Sequence, residues 1–130
     1  MKPRAATIRK WVKIYSEEMG GLSEEQVSYI YSISGICDYE ELPEGSGFIL
    51  YMIAKDFDCK KRMSVLVLYC RPEKRGLYLR YIFRRLEEIA RAEGVVEVAI
   101  GHSISGYKED KFERMLTRMG YEPSIYSKRV

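Results

Sequence analysis

The 130-residue sequence predicts an α/β layered domain with helices packed on a mixed sheet. Three observations carry this. Residues 48–54 and 63–70 are near-continuous apolar runs joined by a short charged connection at 56–62, which makes them a buried hairpin. A strong helical stripe follows Pro72. From residue 63 onward the pattern alternates strand, helix, strand, helix, strand.

Along the chain, Ile8, Trp11, Val12, Tyr15 and Met19 recur at helical spacing on one face, and Gly20 and Gly21 stop that helix. Ser23 ahead of Glu24, Glu25 and Gln26 is a capping-box pattern that opens a short second helix to about Tyr31. Residues 37–42 are polar and weakly patterned, an edge strand or a loop, and residues 43–47 are a turn. After Pro72, the residues Leu79, Ile82, Phe83, Leu86, Ile89 and Ala90 form the apolar stripe. Arg84 with Glu88, and Glu87 with Arg91, stand four apart on its solvent side. Gly94 ends this helix and 95–100 read as a strand. Residues 108–119 are an amphipathic helix with Phe112, Met115, Leu116 and Met119 inward, and after Gly120 residues 121–130 supply a last strand. With no repeat, low-complexity segment or linker, 1–130 reads as one domain.

Composition excludes several classes. Apolar residues are 46% and charged residues 32%, an ordinary soluble balance. A net charge of +3 argues against a nucleic-acid partner, since such a domain shows a basic stripe. No apolar run approaches a membrane span, and the N-terminus mixes charges into its apolar residues, so neither a membrane partner nor a signal peptide is expected. Three cysteines without a CxxC, and the single His102, exclude a zinc site and fit a reduced, cytoplasmic setting.

The string from Val65 to Gly76 reads Val-Leu-Val-Leu-Tyr-Cys-Arg-Pro-Glu-Lys-Arg-Gly, and the helix after it closes on Ala90, Arg91, Ala92, Glu93 and Gly94. This succession of strand, Pro-Glu-x-Arg-Gly turn and long helix resembles the GNAT superfamily of N-acyltransferases. A second match is Gly120-Tyr121-Glu122-Pro123, followed by Tyr126 and Lys128, which is similar to the family's turn after its last helix. The resemblance implies a GNAT-like, mostly antiparallel central sheet flanked by helices, in a divergent, phage-type member. It implies transfer of an acetyl or other acyl group from acetyl-CoA to a primary amine on a small molecule or protein acceptor, and homodimers are common among such proteins. Leu68, Tyr69 and Cys70 would then lie along the pantetheine. Lys74, Arg75, Gly76, Leu77, Tyr78, Leu79 and Arg80 would lie along the pyrophosphate, which suits the N–H groups and dipole of a helix start. A backbone N–H near Tyr69 or Cys70 would polarise the thioester carbonyl.

Three positions depart from the family pattern. Tyr78 and Arg80 stand where glycines are usual, and Tyr78 cannot take a positive φ cheaply. Leu116 stands where many members place a tyrosine acid. These departures define the alternative, a non-enzymatic interaction or structural protein on a degenerate GNAT fold. Among the candidates, His102 follows the strand end that faces the family's cleft and suits a general base. Cys70 is either a nucleophile or an inert wall residue. Of the carboxylates Glu17, Glu18, Asp38, Glu40, Glu41 and Glu44, the stretch with Asp38, Glu40 and Glu41 is the favoured substrate-binding set, because family substrate grooves lie between the early helices and the central strands.

Overall fold

The computed structural model of the chain describes residues 5–18, 20–100, 109–122 and 128. Helix α1 spans Ala5–Glu18 and α2 spans Glu24–Ser34. The apolar stripe of α1 buries Ile8, Trp11 and Tyr15. The capping box of α2 is complete: Ser23 Oγ accepts from the Gln26 N–H at 3.1 Å, and Gln26 Oε1 accepts from the Ser23 N–H at 2.8 Å. This helix runs past Tyr31 because Ile33 is buried and continues the face begun by Ile30.

Four strands follow: β1 (Asp38–Glu41), β2 (Gly47–Lys55), β3 (Lys61–Cys70) and β4 (Val95–Ile100), in the spatial order β1-β2-β3-β4. The weakly patterned segment at 37–42 is therefore an edge strand, held by the burial of Cys37, Tyr39 and Leu42 around it. The first three strands are antiparallel. Helix α3 (Arg75–Glu93) crosses over between β3 and β4, which makes that pair parallel. Short 3₁₀ turns at Pro43–Gly45 and Pro72–Lys74 precede β2 and α3. Gly94 closes α3 in the left-handed conformation, as its φ of 70° requires.

The sheet is covered on both faces. Against α3 pack Leu42, Ile49, Met63, Val65, Leu68 and Cys70, which meet Ile82, Phe83, Leu86, Ile89 and Ala90. Helix α4 (Glu109–Arg118) adds Leu116 and Met115, and the turn after it adds Met119 and Tyr121, to the same side. Against α1 and α2 pack Tyr39, Phe48, Leu50, Val67 and Tyr69, which meet Ile8, Trp11, Tyr15, Ile30 and Ile33. The expected Glu87–Arg91 pair forms at 3.5 Å. Glu88 pairs with Arg85 at 3.3 Å rather than with Arg84, and the same guanidinium also donates to Glu40 of β1 at 2.8 Å, so Arg85 bridges the two carboxylates. Tyr121 and Glu122 are not in a strand, and the rest of the expected last strand, Lys128 apart, lies outside the described residues. No helix among the described residues is long and apolar enough to cross a membrane.

Candidate active site

Backbone direction decides which groups the end of β3 offers. The Leu42 N–H donates to Gly47 O at 2.9 Å, so Gly47 turns its own peptide groups toward β1. Antiparallel alternation then turns Phe48 toward β3. Phe48 faces Tyr69 and Gly47 faces Cys70 in the register. Tyr69 therefore spends its N–H and C=O on β2, while Leu68 and Cys70 direct theirs to the opposite edge of β3. Two further bonds keep this parity. The Arg71 N–H donates to Ser46 O at 2.7 Å on the β2 side, and Cys70 O accepts from Arg75 Nε at 2.9 Å on the other.

On that other edge β4 pairs with β3 only as far as Val65, opposite Ile100. Among the described residues, Leu66–Cys70 has no strand neighbour there. The register between β2 and β3 shifts by one at this point: Leu50 faces Val67, Tyr51 faces Val65, and Leu66 is the extra residue of a β-bulge. The bulge puts Leu66 and Val67 on the same α1/α2 face. The strand end is locked by close approach at Gly47, where a Cβ would lie 2.0 Å from Tyr69 O and 2.8 Å from Cys70 Cα.

Helix α3 begins where β3 leaves the sheet, through the 3₁₀ turn at Pro72–Lys74. Gly76 is exposed, and a Cβ there would meet nothing within 4 Å. Tyr78 lies inside α3, and only Glu44 and Cys59 among the described non-glycine residues have positive φ. The missing glycine therefore costs no backbone strain here, because the helix starts three residues earlier. The Tyr78 side chain packs beside the core and is turned to Glu44, and desolvation, followed by that carboxylate, raises the Tyr78 pKa. Glu44 also stands 4.0 Å from Lys74 Nζ. One carboxylate thus shares the start of α3 with Lys74 and Tyr78. Leu77 and Arg80 are exposed, and the Leu79 side chain lies outside the described residues.

Arg75 is turned inward. Its Nε binds Cys70 O, and its Nη2 pairs with Glu18 at the end of α1. The other Glu18 oxygen is buried with no partner among the described residues. Tyr69 lies against Glu18, and burial with that carboxylate holds its phenol far above the ordinary range. Tyr15 packs edge-on to Tyr69 at 5.2 Å, and its phenol is raised by burial and then by Glu18. The Cys70 thiol is fully buried, and that burial pushes it up to about 11, which disfavours the thiolate that a nucleophile requires.

The predicted carboxylates are placed elsewhere. β2 separates β1 from β3. Glu40 is bound by Arg85 at 2.8 Å through both oxygens, and Glu41 pairs with Lys10 at 3.6 Å. Asp38 lines a polar cleft of about 360 Å³ with Lys55, Lys61 and Glu93, at the end of the sheet away from Cys70. The structure thus brings together Leu68, Tyr69, Cys70, Lys74, Arg75, Gly76 and Tyr78, but does not bring Asp38, Glu40 or Glu41 to them. His102 lies outside the described residues. Glu18 and Tyr15 join the cluster although the favoured carboxylates were those of β1. The available signal was Glu18 at the last turn of α1, one helical turn beyond Tyr15. Beside Tyr15, between α2 and the bulge, runs an open groove of about 270 Å³. Among the described residues no group of three or more His, Cys, Asp or Glu is arranged to hold a metal ion.

No family model matches the chain, and no curated protein matches it in sequence. Solved structures do match in shape. An acetyltransferase of Trypanosoma brucei is 18% identical with a TM-score of 0.60, over 93% of this chain and 92% of that one. A ribosomal-protein-alanine N-acetyltransferase of Brucella melitensis is 12% identical with a TM-score of 0.65, over 95% and 89%. An integron cassette protein from the mobile metagenome of Cole Harbour Salt Marsh is 17% identical with a TM-score of 0.67, over 99% and 88%. The strand order, the α3 crossover and these likenesses agree: the chain has the GNAT fold.

Proposed function

We propose that the protein is an N-acyltransferase that moves an acetyl or related acyl group from acyl-CoA to a primary amine. The observation that carries the reading is the outward edge of β3, where the Leu68 and Cys70 peptide groups face away from β2, next to the start of α3. A pantetheine arm carries amides of its own and pairs with such an edge as a short strand does. The start of α3, with Gly76 exposed, offers N–H groups and a helix dipole to the pyrophosphate.

In the proposed reaction the neutral amine nitrogen attacks the thioester carbonyl carbon. An outward N–H of β3 stabilises the oxyanion, and parity favours Leu68 or Cys70 over Tyr69 for that role. The C–N bond forms, the C–S bond breaks, and the thiolate leaves with a proton from water. His102 or water takes the proton that the amine loses. His102→Ala then lowers turnover by roughly 10²-fold. Near-normal turnover removes His102 from the mechanism.

Calorimetric titration with acetyl-CoA and with CoA tests the reading, using Gly76→Asp as the control. Space at Gly76 is open, so the variant keeps the fold while placing a carboxylate against the phosphates. Micromolar binding that the variant abolishes supports the site. Absence of binding at millimolar ligand favours the second reading, an interaction protein on this fold. That reading draws on Arg75 being held by Glu18 and on Glu44 standing at the helix start.

A further inference from the structure

The polar cleft at the end of the sheet away from Cys70 has no part in acyl transfer. It is a trough of about 360 Å³ along the second half of β2. Tyr51, Ile53 and Lys55 alternate to one side of the strand and form its floor. Asp38 of β1 stands opposite Tyr51, and Lys61 of β3 stands opposite Lys55, so each pair shares a face. That face is the α3 side, since Tyr51 and Ile53 belong to its layer. The last turn of α3 closes one flank with Glu93, whose carbonyl accepts from Lys61 Nζ at 3.2 Å. The two ends carry opposite charge. The buried Tyr51 marks the acidic end: its phenol is raised by burial first, then by Asp38 and Glu40, and also by Glu93, with Arg85 opposing. Glu40 is bound by Arg85 through both oxygens and does not line the trough, which leaves Asp38 and Glu93 as its carboxylates. Lys55 and Lys61 mark the basic end. Among the described residues neither Lys55 nor the Glu93 carboxylate has an ion-pair partner.

We propose that this trough is a binding site for an unbranched ω-amino carboxylate, with the ammonium between Asp38 and Glu93, the methylene chain along Ile53 and the carboxylate at Lys55. Length selects this class. Four residues of strand separate Tyr51 from Lys55, about 13 Å at roughly 3.3 Å each. An extended chain advances about 1.2 Å per bond, so the roughly six bonds between the nitrogen and the carboxyl carbon of 6-aminohexanoate cover about 7 Å. A charge-assisted contact of about 2.8 Å at each end completes the span. An α-amino acid carries its two charges on adjacent atoms' substituents and reaches one end only. A plain amine or a plain carboxylate leaves the opposite end unanswered. Two carboxylates and two ammonium groups make the lining neutral, which matches a zwitterion rather than a polyamine or a dicarboxylate. The volume holds roughly twelve waters at about 30 Å³ each, room for a ligand of about nine heavy atoms with some water retained. Binding here does not depend on acyl transfer.

The test is a heteronuclear NMR titration of the intact protein with 6-aminohexanoate at low ionic strength, beside hexylamine, hexanoate and glycine. Saturable shifts at the Tyr51, Ile53 and Lys55 amides are expected. Hexylamine and hexanoate should each bind about 3- to 5-fold more weakly, the weight of one partly exposed ion pair, and glycine should not saturate. Lys55→Gln should weaken 6-aminohexanoate by about the same factor and leave hexylamine unchanged. Glu93→Gln should weaken 6-aminohexanoate and hexylamine alike and leave hexanoate unchanged. Both side chains are exposed, so the fold survives. Absence of saturation, or shifts confined to other parts of the chain, overturns the site. Hexylamine binding as tightly as 6-aminohexanoate, or indifference to Lys55→Gln, overturns the carboxylate end. Hexanoate binding as tightly, or indifference to Glu93→Gln, overturns the ammonium end. Glycine saturating the same amides with equal affinity overturns the requirement for separated charges.

Discussion

The two faces of the sheet are built from different materials. On the α3 side most of the buried residues are aliphatic, with Leu42, Ile49, Val65, Leu68, Ile82 and Leu86 meeting in one layer. On the α1/α2 side the layer is aromatic and carries polar handles. Trp11 stacks on Phe48 at 5.2 Å, donates its Nε1–H to Tyr39 at 2.9 Å and is joined by Tyr15 and Tyr69. The partly buried Glu18–Arg75 pair and the groove also lie on this side. Aliphatic packing supplies cohesion without direction, whereas buried tyrosines and carboxylates require partners and so hold particular geometries. The difference teaches that one face of β3 is spent on stability and the other on placing chemical groups.

Substitutions that separate cohesion from placement sharpen this contrast. The largest effect belongs to the point where both faces depend on one backbone contact. Gly47→Ala drives a methyl into Tyr69 O and Cys70 Cα, both backbone atoms that cannot swing aside. It should cost at least about 3 kcal/mol and distort the end of β3. Chemical denaturation gives the loss, and a change below about 1 kcal/mol would show that the two strands can separate there freely. Next comes Leu86→Ala on the aliphatic side, fully buried and expected to cost about 3 kcal/mol through its cavity. CoA affinity should stay within about twofold; if affinity falls in step with stability, the division between the faces is wrong.

Much of this architecture was legible in the sequence. The hairpin, the α3 stripe, the capping box and the α4 stripe each follow from spacing that a single periodicity explains. The strand end and the start of α3 were legible too, because Pro72, Arg75 and Gly76 mark the turn. The Arg75–Glu18 pair was not, since 57 residues separate its partners and only the packing of α1 across β3 brings them together. Nor was the bulge at Leu66, where an unbroken apolar run hides the loss of alternation. Asp38, Glu40 and Glu41 drew attention as a cluster. Strand order places them two strands away, where two of the three are bound by Arg85 and Lys10.

Glu18→Gln probes placement directly. The pair with Arg75 is about one-fifth exposed on each side, so its loss should cost about 1–2 kcal/mol, less than a fully buried charge pair. Arg75 is also freed from a carboxylate that competes with phosphate. The variant should therefore bind CoA more tightly while unfolding more easily, opposite signs that a merely structural role would not produce. Calorimetry and denaturation on the same sample measure both. Weaker CoA binding would mean that Glu18 holds Arg75 in its useful position.

The smallest effect concerns alkali. Tyr15, Tyr39 and Tyr69 on the aromatic face all have phenols raised above 10.0, chiefly by burial. A raised folded-state pKa means that the unfolded chain releases its protons first as pH climbs. Their contribution is therefore complete below about pH 10 and falls away above it, as each unfolded phenol ionises while its folded counterpart does not. Tyr51, Tyr78 and Tyr121 on the aliphatic side are raised in the same way, so the loss in alkali is shared by both faces. Stability measured by urea at pH 9 and at pH 11 should fall in the parent chain. Tyr69→Phe, which removes one of these protons, should make the fall shallower. A slope that Tyr69→Phe leaves unchanged would mean that the Tyr69 phenol ionises as readily in the folded chain as in the unfolded one, and the polar character assigned to this face at Glu18 would have to be withdrawn.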